Sequence, residues 1–229
     1  MAIYRLTNEL IFPPPDHAEP DGLLAVGGDL SSDRLLLAYQ MGIFPWYGVG
    51  LPILWWSPDP RLVLEPGDFH VSRRFGRTLR KGKFRVTMDR SFAAVIGACA
   101  TAPRRGQDGT WITHDMQRAY IRLHELGYAH SVESWLEGNL VGGIYGVSLG
   151  KCFFGESMFS YESDASKAAI ATLIERLNQW QFHMLDAQVT TRHLLSLGAK
   201  EMPRKLFLEK LRAALQFPTF RGVWNVESG

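Results

Sequence analysis

Glu156 sits in Phe153-Phe154-Gly155-Glu156-Ser157-Met158-Phe159, an otherwise apolar run that reads as a strand. A carboxylate there must pair or face a cavity, because burying an isolated charge is prohibitive. Its counterpart is either a buried donor of this chain or the cationic group of a ligand. Asp186 and Gln188 lie two apart on a strand-like run with Leu185 and Val189, so their side chains share a face. They are either hydrogen-bonded core or a pair that orients a reacting amine. A third feature is electrostatic. Between Arg73 and Arg105 stand ten basic residues and one acid, Asp89, so that with a net charge of +2 the remainder carries −7. So polarised a chain presents a positive face to polyanions, and a nucleic-acid contact is preferred over a merely solvated surface. The fourth feature is aromatic. Leu35 to Pro58 has no charged residue in 24 positions and carries Tyr39, Phe44, Trp46, Tyr47, Trp55 and Trp56. It is either a packed structural loop or a stacking surface for bases.

Other chemistries are disfavoured. Gly142-Gly143-Ile144-Tyr145-Gly146 looks like a phosphate loop but falls inside a hairpin, where glycines permit close backbone approach. The seven histidines show no metal spacing, and no metal is expected. No G-x-S-x-G elbow or Cys–His spacing indicates a covalent nucleophile. Two cysteines, Cys99 and Cys152, cannot build a disulfide framework. At 229 residues, 46% hydrophobic and 21% charged, the chain is of ordinary globular composition, with one large domain or two small ones. The opening residues carry charge where a signal peptide would be apolar, so a cytoplasmic protein is expected. The uncharged stretch holds Pro45, Pro52 and Pro58, which opposes a membrane span and favours turns and short extended pieces.

The elements that must position these groups follow from periodicity. Ser31 to Gln40 reads as a capped helix, and Val71 to Arg80 as a second one. On the second, Arg73, Arg77 and Lys81 recur at i, i+4, i+8 with Arg80 beside them, a cationic stripe suited to a phosphate backbone. Lys83 to Met88 alternates as a strand, Ser91 to Ala100 is helical, and Thr113 caps a helix to Leu126. His130–Trp135, Leu140–Ser148 and Lys151–Phe159 form a three-stranded meander. An amphipathic helix from Ala165 to Gln179, a strand from His183 to Val189 and a helix from Arg204 to Leu215 follow. The predicted fold is α+β.

Several stretches resemble the leucyl/phenylalanyl-tRNA–protein transferase family: Gly22-Leu23-Leu24-Ala25-Val26-Gly27-Gly28-Asp29-Leu30, Gly42-Ile43-Phe44-Pro45-Trp46 and Ile53 through Arg61 with WWSPDPR. Further matches are Gly109-Thr110-Trp111-Ile112-Thr113, Leu123-His124-Glu125-Leu126-Gly127, the hairpin Gly142 to Ser160, Asp186-Ala187-Gln188-Val189 and Leu197-Gly198-Ala199. The resemblance covers nearly the whole chain in order. It implies a small N-terminal domain (1–62) and a GNAT-type aminoacyl-transfer domain (63–229), with no cofactor. The implied reaction carries leucine or phenylalanine, and methionine less well, from aminoacyl-tRNA to proteins or peptides with N-terminal arginine or lysine, marking them for N-degron degradation. The resemblance places the 3′-terminal adenosine on Trp46 and Trp111, and the donor side chain among Ile144, Phe153, Ile170, Leu173, Leu177 and Leu185. Glu156 would contact the donor's α-amino group and Tyr120 would help position the aminoacyl end. Asp186 and Gln188 would act on the incoming amine, while Arg73, Arg77, Arg80 and Lys81 would hold the tRNA. The family tends to carry aromatics on the pocket helix. Here Leu173 and Leu177 are aliphatic, from which a shifted preference between phenylalanine and leucine is expected.

Two rivals have their own sequence requirements. A CoA-dependent N-acetyltransferase of the same fold wants a pyrophosphate loop opening the helix at Ala165, yet Ser160-Tyr161-Glu162-Ser163-Asp164 brings two acids and no glycine. A non-catalytic tRNA-binding module explains the basic stripe but leaves Glu156 and Asp186 without a task.

Overall fold

The computed structural model describes residues 3–102, 110–225 and 227–228. Arg104, Arg105 and Gly109, which figure in the basic segment and a family motif above, lie outside them. The described residues form two sheets. The smaller has the order β1-β2-β4-β3, from β1 (Tyr4–Leu6), β2 (Leu23–Gly27), β3 (Phe44–Pro45) and β4 (Leu54–Trp56), with α1 (Ser32–Gln40) between β2 and β3. Ser31 caps α1 by accepting the Arg34 N–H, as the sequence predicts. The uncharged stretch resolves into the end of α1 and two short strands, where its prolines break longer ladders.

The larger sheet holds β5 (Arg61–Leu64), β6 (Arg85–Met88), β7 (Ala129–Leu136), β8 (Asn139–Leu149), β9 (Cys152–Ser160), β10 (Met184–Gln188), β11 (Lys200–Met202) and β12 (Glu227–Ser228), in the order β11-β5-β10-β9-β8-β7-β6-β12. The meander β7-β8-β9 forms its centre, as its period-two pattern requires. The helices are α2 (Arg73–Arg80), α3 (Phe92–Thr101), α4 (His114–Glu125), α5 (Ala165–Gln179), α6 (Arg192–Ser196) and α7 (Arg204–Ala214). The architecture is α+β. Residue 62, the expected division, falls inside β5, whose pairing with β10 and β11 assigns it to the larger sheet; the smaller sheet ends at Trp56.

Two apolar layers cover the large sheet. One, with Phe92, Ile96, Met116 and Tyr145, packs α3 and α4 on one face and continues into Leu24, Tyr39 and Trp55 of the smaller sheet. The other packs α5, through Ile170, Leu173, Ile174 and Leu177, on Val132, Ile144 and Leu185. Most pairs are antiparallel. β9 and β10 are parallel, joined by α5 as the crossover helix.

Candidate active site

Registered pairing of β9 with β10 ends at Phe154 and Asp186. Past that point the next residues of both strands line a cavity of about 690 Å³. Its strand-borne wall is Gly155, Glu156, Ser157 and Met158 from β9, Leu185, Ala187 and Gln188 from β10, and Ile144 from β8. Ile170 of α5 closes one side, and Phe44, Pro45, Trp46 and Trp111 another. Val189, Thr191, His193 and Leu194, leading into α6, complete it.

Both working strands are bulged here. Against β8, Tyr145 pairs with Ser157 and Gly146 with Gly155, leaving Glu156 as the extra residue. Against β5, Val63 pairs with Asp186 and Leu62 with Gln188, leaving Ala187 over. A bulge bends its strand and re-aims side chains. The glycines of the GGIYG run serve this packing: a Cβ on Gly146 would lie 2.2 Å from the Phe154 carbonyl oxygen.

Among the described residues Glu156 is the one carboxylate in the lining. Tyr39 and Tyr120 donate to its Oε1 and Oε2 at 2.7 and 3.0 Å, and Gln188 Nε2 donates to Oε1 at 2.7 Å. The two phenol oxygens also meet each other. The Glu156 pKa stands at about 7 against an ordinary 4.5, with burial the largest cause and the three hydrogen bonds opposing it. Burial and the facing carboxylate hold both phenols protonated, well above the usual tyrosine range.

Asp186 does not reach the cavity. Its carboxylate is fully buried in a bidentate pair with Arg61, Nε to Oδ1 at 2.8 Å and Nη2 to Oδ2 at 2.6 Å. Oδ1 also accepts the backbone N–H of Gln188 at 2.9 Å. Asp186, expected to act on the amine by orienting or polarising the Gln188 amide, thus meets Gln188 through its backbone N–H and has no place in the lining. The bulge at Ala187 breaks the two-residue alternation, so Asp186 turns to the core and Gln188 to the cavity.

Four further residues expected at the site stand outside this lining. Phe153, Leu173 and Leu177 are not cavity-lining; all are buried in the α5 core, with Phe153 packed beside Trp224 at 5.8 Å between ring centres. On α5 only Ile170 reaches the lining, because the deeper turns pack directly on the sheet. Tyr120 is likewise fully buried and touches the site only through Glu156. Trp46, Trp111, Ile144, Ile170, Leu185, Glu156 and Gln188 do come together around one cavity. The sequence reasoning missed Tyr39 and Arg61 as site residues, along with Phe44, Met158 and His193. Tyr39 and Phe44 stand in the aromatic run, and Arg61 ends a quoted motif, but nothing local shows what they bond.

Arg73, Arg77, Arg80 and Lys81 stand exposed on α2 and its C-cap, and among the described residues none pairs with a carboxylate. Ser72 caps α2, and buried Phe75 anchors it beneath Lys167 of α5, 5.9 Å from Nζ to ring centre. The cationic stripe thus abuts the helix that walls the cavity.

Comparison with known sequences gives the class, an aminoacyltransferase, and with it the family. The leucyl/phenylalanyl-tRNA protein transferase profile matches residues 63–212, and the profile of that family's N-terminal domain matches 28–59. The leucyl/phenylalanyl-tRNA–protein transferase of Anaeromyxobacter sp. (strain Fw109-5) is 59% identical over 229 residues, covering 100% of this chain and 97% of its own length. That of Desulfatibacillum aliphaticivorans is 56% identical over 228 residues, covering 100% and 98%. Among solved structures, a GCN5-related N-acetyltransferase from Kribbella flavida superposes with a TM-score of 0.39 at 11% identity, over 73% of this chain and 60% of that one. The chain belongs to the leucyl/phenylalanyl-tRNA protein transferase family.

Proposed function

We propose that the cavity receives the aminoacyl end of a charged tRNA, and that leucine or phenylalanine, less efficiently methionine, passes to proteins beginning with arginine or lysine. Such proteins are thereby marked for N-degron degradation in the cytoplasm. The observation that carries this reading is a single carboxylate among the described lining residues, Glu156, in a mostly apolar cavity whose other polar side chains are Ser157, Gln188, Thr191 and His193 and which two indoles also line. A leucine or phenylalanine ester has that outline: an apolar side chain, one α-ammonium and a purine beyond the ester. Ile144, Ile170, Leu185 and Met158 would enclose the side chain, with the flexible thioether adapting to either shape. Trp46 and Trp111 would stack the terminal adenine, and the stripe on α2 would bind the tRNA phosphates. The parallel β9/β10 pair parting at the site fits a GNAT-type layout.

An aminoacyl ester is already activated, so alignment is the main demand, worth up to about 7–11 kcal/mol. The acceptor's α-amine, with a free pKa of roughly 7.7–8.0, attacks in its neutral form. Its nitrogen bonds to the ester carbonyl carbon, the bond from that carbon to the ribose oxygen breaks, and one amine proton ends on the released ribose hydroxyl. Gln188 spends its N–H on Glu156, which leaves its side-chain carbonyl oxygen to accept a hydrogen bond from the arriving amine. The CoA rival is disfavoured at the start of α5: Asp164 stands at its N-cap, and Gly142 is so close that a Cβ there would lie 2.5 Å from the Ala165 Cβ.

The test is incubation with radiolabelled leucyl-tRNA and two peptides, one beginning with arginine and one with alanine. Label moving to the arginine peptide alone supports donor and acceptor classes together. Label on neither, or equally on both, refutes the reading.

A further inference from the structure

We propose that Arg61 is a positioning residue for aminoacyl transfer, holding Gln188 in its working geometry through Asp186. The inference rests on the role given above to Gln188. Arg61 opens β5, and Asp186 lies 125 residues later on β10; both side chains are fully buried. Two N–H groups of one planar guanidinium meet the two oxygens of one carboxylate, a geometry that fixes direction as well as distance. The guanidinium is itself held between the rings of Phe44 and Phe207, 4.8 and 4.6 Å from their centres. Phe44 also faces the cavity.

The other end of the relay is Gln188. It follows the Ala187 bulge and has φ of 64°, a left-handed backbone that a long side chain adopts only under constraint. The constraint is Asp186 Oδ1, which accepts the Gln188 backbone N–H at 2.9 Å while receiving Arg61 Nε at 2.8 Å. From that backbone the Gln188 amide reaches Glu156. Arg61, Asp186, Gln188 and Glu156 therefore form one connected chain from the core to the cavity. Stability alone is a poor reason for such a pair, because well-packed apolar residues commonly replace a buried ion pair without loss. What an apolar pair cannot do is accept the Gln188 N–H and set its backbone.

The test compares wild type with two variants. Arg61→Lys keeps the charge and loses the fork. The double variant Arg61→Met/Asp186→Leu replaces the pair by apolar volume. For each, thermal midpoint, affinity for leucyl-tRNA, and kcat and KM for transfer to an arginine peptide are measured across pH. We expect folded proteins that bind leucyl-tRNA within about threefold of wild type while kcat falls by about 10- to 100-fold, the scale of a displaced reacting group. The acidic limb of the Arg61→Lys profile should move to higher pH, since Gln188 then supports the Glu156 carboxylate less well. A folded variant of either kind with kcat within about threefold of wild type overturns the inference, as does loss of fold in both, which makes the pair a structural element. If one variant fails to fold, the other decides. A wild type that transfers nothing removes the function and this inference with it. An active wild type beside an equally active variant removes the inference alone.

Discussion

Gln188 donates its side-chain N–H to Glu156 Oε1 at 2.7 Å, joining two neighbouring strands at the point where both are bulged. That bond couples the group proposed to meet the acceptor amine to the group proposed to meet the donor ammonium. On those proposed roles each substrate's site would be sensitive to the charge state of the other.

Glu156→Gln should abolish the pH dependence that this carboxyl creates. Its pKa is about 7 in the fold against 4.5 ordinarily, so between those values the folded chain holds a proton that the unfolded chain has lost. Stability from this group is complete below pH 4.5 and is lost as pH rises through 7, on the order of 3 kcal/mol in all. Thermal midpoints at pH 5 and 8 should differ less in the variant than in wild type, with the variant the more stable at pH 8. Its transfer rate should nevertheless fall, because no negative charge remains for the α-ammonium.

His130 pulls the other way. It is buried, with its Nδ1 on Asp89 at 2.8 Å and its ring stacked on Trp224 at 3.7 Å. Burial lowers its pKa below 6.5, against the opposing effect of Asp89. The unfolded chain therefore binds this proton first as pH falls, and the stability it contributes is lost below about 6.5. Asp89 also accepts the Trp224 backbone N–H at 2.7 Å, so acid should loosen the segment around Trp224 first. The fluorescence lost in Trp224→Phe, followed from pH 7.5 to 5, checks this; a signal constant until global unfolding would contradict it.

Leu173→Ala and Ile170→Ala should separate stability from donor choice. Leu173 is in the core behind the cavity, so its truncation should cost about 2–5 kcal/mol with an unchanged ratio of leucine to phenylalanine transfer. Ile170 lines the cavity, and its truncation should shift that ratio toward phenylalanine by about tenfold or more. Competition between the two charged tRNAs reads both. On this placement the aliphatic Leu173 and Leu177 would not act on the donor directly.

Trp46→Ala and Trp111→Ala should each weaken charged-tRNA binding by about 5- to 150-fold, the effect of about 1–3 kcal/mol of base stacking. Trp46 is 37% exposed and also meets Trp56 at 5.7 Å, so its loss should leave the thermal midpoint nearly unchanged. KM for charged tRNA against kcat separates binding from chemistry.

Arg73→Ala, Arg77→Ala and Lys81→Ala should weaken binding of all tRNAs alike. Each should reduce the slope of log affinity against log salt by about 0.7–0.9 if it neutralises one phosphate. A slope equal to that of wild type would remove the residue from the interface.

Much of the site was legible in residue types. A carboxylate inside FFGESMF had to be solvated by something, and the meander and the amphipathic helix around it follow from their periods. The α2 stripe needed no more than helical spacing. What failed was the step from element to face. Asp186 and Gln188 share a side on a regular strand, yet one extra residue at Ala187 sends Asp186 to Arg61 and Gln188 to the cavity. Likewise, helical spacing puts Ile170, Leu173 and Leu177 on one apolar stripe but does not say how far along it the sheet stops and the cavity begins.

The amino-acid sequence by itself determined the elements, the charge polarity and the presence of a carboxylate that could not stand alone. Tertiary structure decided its partners, because Tyr39 comes to Glu156 across 117 residues and Arg61 to Asp186 across 125. Periodicity is a local property of the backbone, whereas those hydrogen bonds exist only once two sheets share a core and two bulges have turned the strands toward it.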